Sequence, residues 1–231
     1  GLEVELANDL CARMEIKCTI VAQDWDGLIP SLTVGKFDVI MASMFITPKR
    51  LETIDFTQPY AVDPSGFAAA KDSELGRLGV SAEKFTLEDE ATALAAIEEL
   101  KPLLKGKVVG VQAATTNLEF LKKYFADTVD IREYKTTEQH DLDLAAGRID
   151  ALFAQQTALA ATLAKPEFAD YTVAGPGFVG GVFGLGTGAG LRKEDVKLKD
   201  MLNAAIDSAI ADGTIKRISE KWVNTDVTPV K

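Results

Sequence analysis

The stretch Leu32-Thr-Val-Gly-Lys-Phe-Asp-Val-Ile-Met-Ala42 recurs later in the chain as Leu144-Ala-Ala-Gly-Arg-Ile-Asp-Ala-Leu-Phe-Ala154. The shared skeleton is Leu-x-x-Gly, a basic residue, x, Asp, x, an apolar residue, x and Ala. Each copy reads as the end of a helix joined to a strand. Gly35 or Gly147 can take the left-handed conformation that closes a helix, and the basic residue sits where the helix dipole favours a cation. The apolar runs 39–41 and 151–153 then read as strands buried on both faces. Two such units are too few for a solenoid. They point to two similar α/β lobes in one chain, with a cleft between the lobes.

A chain of 231 residues can form one large or two modest domains with a real core. Its apolar stretches are short and broken by Gly or Asp, so no segment reads as a membrane span. The net charge of −10 leaves no basic patch to neutralise phosphates, so nucleic acid is not an expected partner. The first residues already carry a helical pattern, Leu2, Leu6 and Leu10, without an initiator Met or a signal peptide. The expectation is that a segment upstream is missing.

On one continuous helix the α-carbons of Cys11 and Cys18 would lie roughly 10.5 Å apart at 1.5 Å per residue, too far for a disulfide. The helix should end near residues 14–15, because 17–22 reads as a strand, and a reversal there could bring the sulfurs together. Two free thiols and a bond both remain open on the residues alone; a bond would imply an oxidising compartment.

Along the rest of the chain, Thr47 reads as an N-cap with Pro48 at the first helical position. Residues 54–60 run into an extended stretch, and 66–70 form a short strand at the first crossing between lobes. A helix is predicted over 88–104 despite Pro102, strands over 107–111 and 131–134, and helices over 118–125, 138–146 and 155–164. Gly175-Pro-Gly177 and Gly180-Gly181 flank a flexible stretch, 182–188 reads as a strand returning to the first lobe, and helices over 193–212 and 214–222 close the chain. Strands alternating with helices make the class α/β.

The catalytic inventory is thin. His140 is the single histidine, read as a solvent-facing or capping residue. No Gly-x-Ser-x-Gly elbow accompanies it, and no Cys/His set could hold a metal. The glycine-rich Gly184–Gly190 lacks the Gly-Lys-[Ser/Thr] ending of a phosphate loop and reads as a crossover strand. No cofactor is expected. Two places suit an anion better. The run 108–111 leading into Thr115, Thr116 and Asn117 puts backbone N–H groups and two hydroxyls at a helix start. The stretch Met41–Arg50, with Ala42, Ser43 and Phe45, follows the first repeat strand, where α/β sheets place ligands. Arg50 there can grip a carboxylate through two parallel bonds. Trp25 beside Gly27 either stacks on a ligand or covers the core.

At Trp25–Leu32, Ile46–Arg50, Ala145–Ala151, Phe183–Asp195 and Asp212–Trp222 the chain resembles the substrate-binding proteins of polar amino-acid ABC importers. The nearest branches are the lysine/arginine/ornithine- and histidine-binding and the octopine- and nopaline-binding proteins; the insertion at 72–106 is more similar to the octopine branch. The likeness covers essentially the whole chain. It implies a two-lobe periplasmic-binding-protein fold of type II, with lobe one at 1–63 plus 184–231, lobe two at 67–181, and hinge crossings at 64–66 and 182–183. The family's first strand and the aromatic loop after it lie outside this chain. It further implies a monomer secreted to the periplasm that closes on one amino acid or opine and delivers it to a permease in the inner membrane. Carried over by position, Arg50 would hold the ligand α-carboxylate, Thr115 and Thr116 the opposing donors, and Trp25 the aromatic wall. Cys11 and Cys18 fall where a disulfide occurs in this group.

Two departures bear on the ligand. Phe45 stands where many members have serine. Gln155 stands where lysine/arginine binders place an aspartate against the α-ammonium, and a neutral amide pairs less strongly with a cation. The octopine-like members also lack that acid, so the resemblance favours a ligand whose α-nitrogen is substituted. The competing reading, an enzyme on this scaffold such as a dehydratase acting on a carboxylated ring, needs an acid–base group where Gln155 stands. The ligand-binding domain of a sensor is a further alternative.

Overall fold

The computed structural model describes residues 1–229. The chain divides into two compact units, one made of Gly1–Val62 and the chain from Gly184 onward, the other of Asp63–Phe183. Residues 64–66 and 182–183 fall within the second unit.

In the first unit, helix α1 (Leu2–Arg13) buries Leu6, Ala7 and Leu10; Leu10 lies three and four residues beyond the other two, the spacings that put side chains on one helix face. Short helices α2 (Leu28–Thr33) and α3 (Pro48–Leu51) follow. Strand β1 (Asp55–Ala61) pairs antiparallel with β8 (Thr187–Leu191), and α8 (Val196–Ala211) and α9 (Thr214–Val223) complete the unit. Leu6 and Leu10 share a core with Tyr60, Ala189, Ile206 and Ile218. A second cluster gathers Leu28, Leu32, Ile40, Met44, Ile54 and Phe56. Arg13 fastens the end of α1, bonding the Ser208 hydroxyl at 2.7 Å and the Thr214 hydroxyl at 3.0 Å. The structure joins Cys11 and Cys18 in a disulfide.

In the second unit a six-stranded mixed sheet runs in the order β3 (Val80–Thr86), β7 (Tyr171–Val179), β2 (Ser65–Ala70), β6 (Ala151–Gln155), β4 (Val108–Gln112) and β5 (Asp130–Tyr134). Strands β4, β5 and β6 are mutually parallel, and β2 is antiparallel to both neighbours. Helices α4 (Glu90–Leu104), α5 (Thr116–Tyr124), α6 (Thr137–Ala145) and α7 (Gln156–Leu163) connect them. Pro102 lies inside α4 near its end. Phe120 stacks on Phe153 at 4.8 Å and meets Phe178 and Phe183 within 5.3 Å, an aromatic core beneath α5. Gly35 (φ 77°) and Gly147 (φ 66°) both take the left-handed conformation just beyond α2 and α6.

Several expectations need correction. Residues 17–22 form no strand; Ile20 and Val21 are exposed. The first repeat strand reduces to one bridge, Ile40 to Gly190, because pairing on its other side is absent among the described residues. The stretch 182–188 is not a strand: Gly184 (φ 66°) and Gly186 (φ 106°) leave the extended region, and pairing begins at Thr187. The supposed flexible stretch around Gly175-Pro-Gly177 lies inside β7, paired on both edges. His140 is neither solvent-facing nor a cap: it is 3% exposed, with Nδ1 3.0 Å from Asp141 Oδ1 and the Tyr134 ring edge-on at 6.1 Å. The capping role belongs to Thr136 and Gln139.

Candidate functional site

Each unit carries its share of the expected residues on one local assembly. In the first unit the chain from Ile40 to Ile46 is tied to β8 at both ends, through the Ile40–Gly190 and Phe45–Thr187 bridges. Between these ties it turns out of line, with Ser43 at φ 51°, a region that non-glycine residues seldom occupy. The Thr47 hydroxyl then accepts from the Arg50 amide at 3.3 Å and starts α3 with Pro48 next in line, the N-cap arrangement that satisfies an otherwise orphaned helix donor.

That one turn fixes the arginine. Arg50 Nη1 donates to the Phe45 carbonyl at 2.7 Å, and its guanidinium carbon lies 5.5 Å from the centre of the Trp25 ring, within cation–π range. Trp25 and Ala42 pack against the Leu28–Leu32–Ile40 cluster. Trp25, Ala42, Ser43, Phe45 and Arg50 therefore belong to one assembly. Phe45 contributes its carbonyl to it, for its ring is buried, the residue being 4% exposed. A guanidinium carries five N–H donors in a planar fork, so an arginine held this way presents a carboxylate with a preset geometry.

In the second unit β4 and β6 are parallel neighbours, with Val109 opposite Ala151 and Gly110 opposite Leu152. Their carboxyl ends therefore deliver Thr115–Asn117 and Gln155 to the same edge of the sheet, the edge where open α/β sheets bind ligands. Ala114 takes φ 58°, which turns the chain into α5. Thr115 caps that helix: its hydroxyl accepts from the Leu118 amide at 3.2 Å and donates to the Gln112 carbonyl at 2.7 Å. Helix geometry leaves the first amides, those of Thr116 and Asn117, without an i−4 carbonyl. Thr115, Thr116, Asn117 and Gln155 are each at most 9% exposed.

Burial makes unpaired polar atoms informative, because a buried donor or acceptor without a partner is costly. Three such atoms belong to this end of the second unit: Asn117 Oδ1, Gln155 Nε2 and Ser65 Oγ. Ser65 is the cross-strand partner of Gln155 and is fully buried. Sequence reading missed it. A serine at the start of a predicted strand carries no signal until the β2–β6 register is known. Also missed was Glu3, whose carboxylate accepts from the Ser43 amide and the Tyr60 hydroxyl. A signal was available there, since Glu3, Leu6, Ala7 and Leu10 share the i, i+3, i+4, i+7 stripe. Among the described residues no cluster of His, Cys, Asp and Glu could hold a metal ion, and no helix is long and apolar enough to cross a membrane.

The first unit thus offers a held guanidinium, and the second, taken by itself, offers neutral polar side chains and helix-start amides; groups of both kinds suit an anion. Known proteins share this framework. An octopine-binding periplasmic protein of Rhizobium meliloti is 45% identical, over 99% of this chain and 84% of that protein. A histidine-binding periplasmic protein of Salmonella typhimurium is 36% identical, over 98% of this chain and 80% of its own length. Among solved structures, a periplasmic His/Glu/Gln/Arg/opine family-binding protein from Silicibacter pomeroyi in complex with lysine superposes with a TM-score of 0.74 at 28% identity, covering 100% of this chain and 89% of that one. The sequence pattern of the bacterial extracellular solute-binding proteins, family 3, matches residues 1–225. The chain belongs to that family.

Proposed function

We propose that this protein is the periplasmic solute-binding component of an ABC importer, that its ligand is an arginine-derived opine of the octopine type, and that it hands this ligand to an inner-membrane permease without altering it. The observation that carries the ligand assignment is the unpaired amide nitrogen of the neutral Gln155 beside the unpaired hydroxyl of Ser65. A carboxylate at that position would suit a primary α-ammonium. An amide and a hydroxyl instead offer donors to an acceptor, and an opine differs from its parent amino acid by a carboxyalkyl group on the α-nitrogen. The second carboxylate of octopine would be repelled by an acid and is accepted by donors. Arg50, held between the Phe45 carbonyl and the Trp25 ring, serves the α-carboxylate. The absence of a carboxyl at position 155 also argues against the dehydratase reading, since a general acid or base must reach the reacting atom.

Titration calorimetry with octopine, nopaline, L-arginine, L-lysine and L-histidine tests this. Octopine should bind tightest, and Gln155→Asp should weaken octopine and strengthen L-arginine. A parent protein that prefers L-arginine to octopine would overturn the opine assignment while leaving the solute-binding role intact. Binding to none of the five would remove the whole ligand class.

A further inference from the structure

Glu3 stands on the buried face of α1, ahead of Leu6, Ala7 and Leu10. An ionised carboxylate on an apolar stripe is expensive unless it is hydrogen-bonded. Here one oxygen, Oε1, accepts both the backbone N–H of Ser43 and the hydroxyl of Tyr60. The first donor is the residue in the left-handed conformation, φ 51°, a backbone state that persists only where the surroundings impose it. The second is anchored in turn, for Tyr60 is 1% exposed in the core that α1 shares with α8 and α9. Ser43 is also the pivot of the stretch that brings the Phe45 carbonyl to Arg50.

We propose that Glu3 is a positioning residue for ligand binding: its carboxylate holds the Ser43 amide and so fixes the turn that aims Arg50, while Tyr60 holds the carboxylate. This rests on the reading of residues 42–50 as ligand-binding given above. Burial pushes the Glu3 carboxyl above the usual carboxylate range, although the Tyr60 and Ser43 bonds pull it down. Tyr60 is the titratable group that meets it directly, and burial together with the Glu3 charge drives that phenol well above its ordinary value. The charged groups of the packed helices go elsewhere: Lys221 and Arg217 to Glu5, Asp212 to Arg13. As pH falls through the raised range Glu3 becomes neutral, its oxygen accepts less strongly, and the turn loosens. Affinity should therefore decline on the acid side earlier than an ordinary carboxylate would cause.

The test compares the parent with Glu3→Ala, Glu3→Gln and Tyr60→Phe. Octopine and L-arginine are titrated from neutral pH down through the carboxylate range. Amide hydrogen exchange at Ser43 is measured in the ligand-free proteins. Glu3→Ala should weaken binding by about tenfold or more, as for loss of a hydrogen bond to a charged group. Glu3→Gln, which keeps an acceptor oxygen, should lose less and should lack the acid-side decline. Ser43 exchange should accelerate in all three variants, least in Tyr60→Phe. Binding by Glu3→Ala equal to the parent, or an acid-side decline retained in Glu3→Gln, would overturn the inference. If Glu3→Ala does not fold, Glu3→Gln and Tyr60→Phe decide. Should the parent bind neither probe, the ligand assignment fails, yet unchanged Ser43 protection in Glu3→Gln would still refute the positioning role and faster exchange would support it.

Discussion

Ser65 and Gln155 are cross-strand partners at the end of the β2–β6 ladder, and each ends in a buried polar atom, Oγ and Nε2, that none of the described residues hydrogen-bonds. Buried polar atoms that no neighbouring residue hydrogen-bonds carry a desolvation cost that the fold itself does not offset. Replacing Ser65 with Ala should therefore leave the melting temperature unchanged or raise it. The same change should weaken octopine binding by roughly tenfold, the loss of a hydrogen bond to a charged group. Thermal denaturation and calorimetry on one preparation check both halves. A Ser65→Ala protein that is less stable and binds equally well would mean that the hydroxyl has a structural partner instead.

Arg50 should dominate affinity. Arg50→Ala is expected to cost about 3 kcal/mol or more in binding, as for truncating one side of a buried charged pair. Arg50→Lys should recover only part of that, because an ammonium cannot form the two-pronged bond. Equal octopine affinity in Arg50→Ala and parent, measured by calorimetry, would show that the carboxylate is held elsewhere.

The Asp141 carboxylate is 8% exposed as a side chain. Burial raises its pKa, but the neighbouring His140, Lys165 and Thr162 outweigh this and hold it below the ordinary carboxylate value. A depressed folded-state pKa stabilises the protein above the unfolded pKa, and that contribution disappears as pH falls through the folded one. Stability should thus fall on acidification partly through Asp141. Asp141→Asn should cost about 1–3 kcal/mol at neutral pH, in the range for leaving buried partners unsatisfied, and should flatten the acid limb. Urea denaturation as a function of pH reads this directly, and parallel acid limbs for parent and variant would contradict it.

The Cys11–Cys18 bond closes a short loop, the two positions being seven apart in sequence. The chain-entropy relation gives about 2–3 kcal/mol for a loop of this size. Cys11→Ser/Cys18→Ser should be less stable than the oxidised parent by that amount, seen as a lower denaturant midpoint. Thiol titration of the denatured, unreduced parent should find no free thiol; finding two would refute the bond in the isolated protein.

Much of the architecture is legible where chirality dictates it. Gly35 and Gly147 are both left-handed, and the Leu-x-x-Gly skeleton says so because other residues meet a steric penalty there. The segment after each glycine is decided less locally. The second copy becomes strand β6, while the first makes a single bridge, since a strand depends on neighbours that no short window contains. The shared aspartates diverge for the same reason: Asp150 accepts from the Val108 amide at 2.7 Å, whereas Asp38 pairs with Arg192 at 2.7 Å. In the site, Thr47, Pro48 and Thr115 announce helix starts through local capping chemistry. The Arg50–Phe45 bond could not be read, because it depends on how the chain turns at Ser43. Ser65 stayed hidden because its importance lies in register.

The bond from Arg50 to the Phe45 carbonyl also bears on the timing of capture. Immobilising a long, rotamer-rich side chain takes about 0.5–1.5 kcal/mol, and contacts within the first unit, the Phe45 carbonyl and the Trp25 ring, already do that work for Arg50. The guanidinium has no conformational search to perform, so the encounter step should run at similar speed for every carboxylated candidate. Discrimination among them then falls to residence time, with wrong solutes rejected by leaving sooner rather than by arriving more slowly.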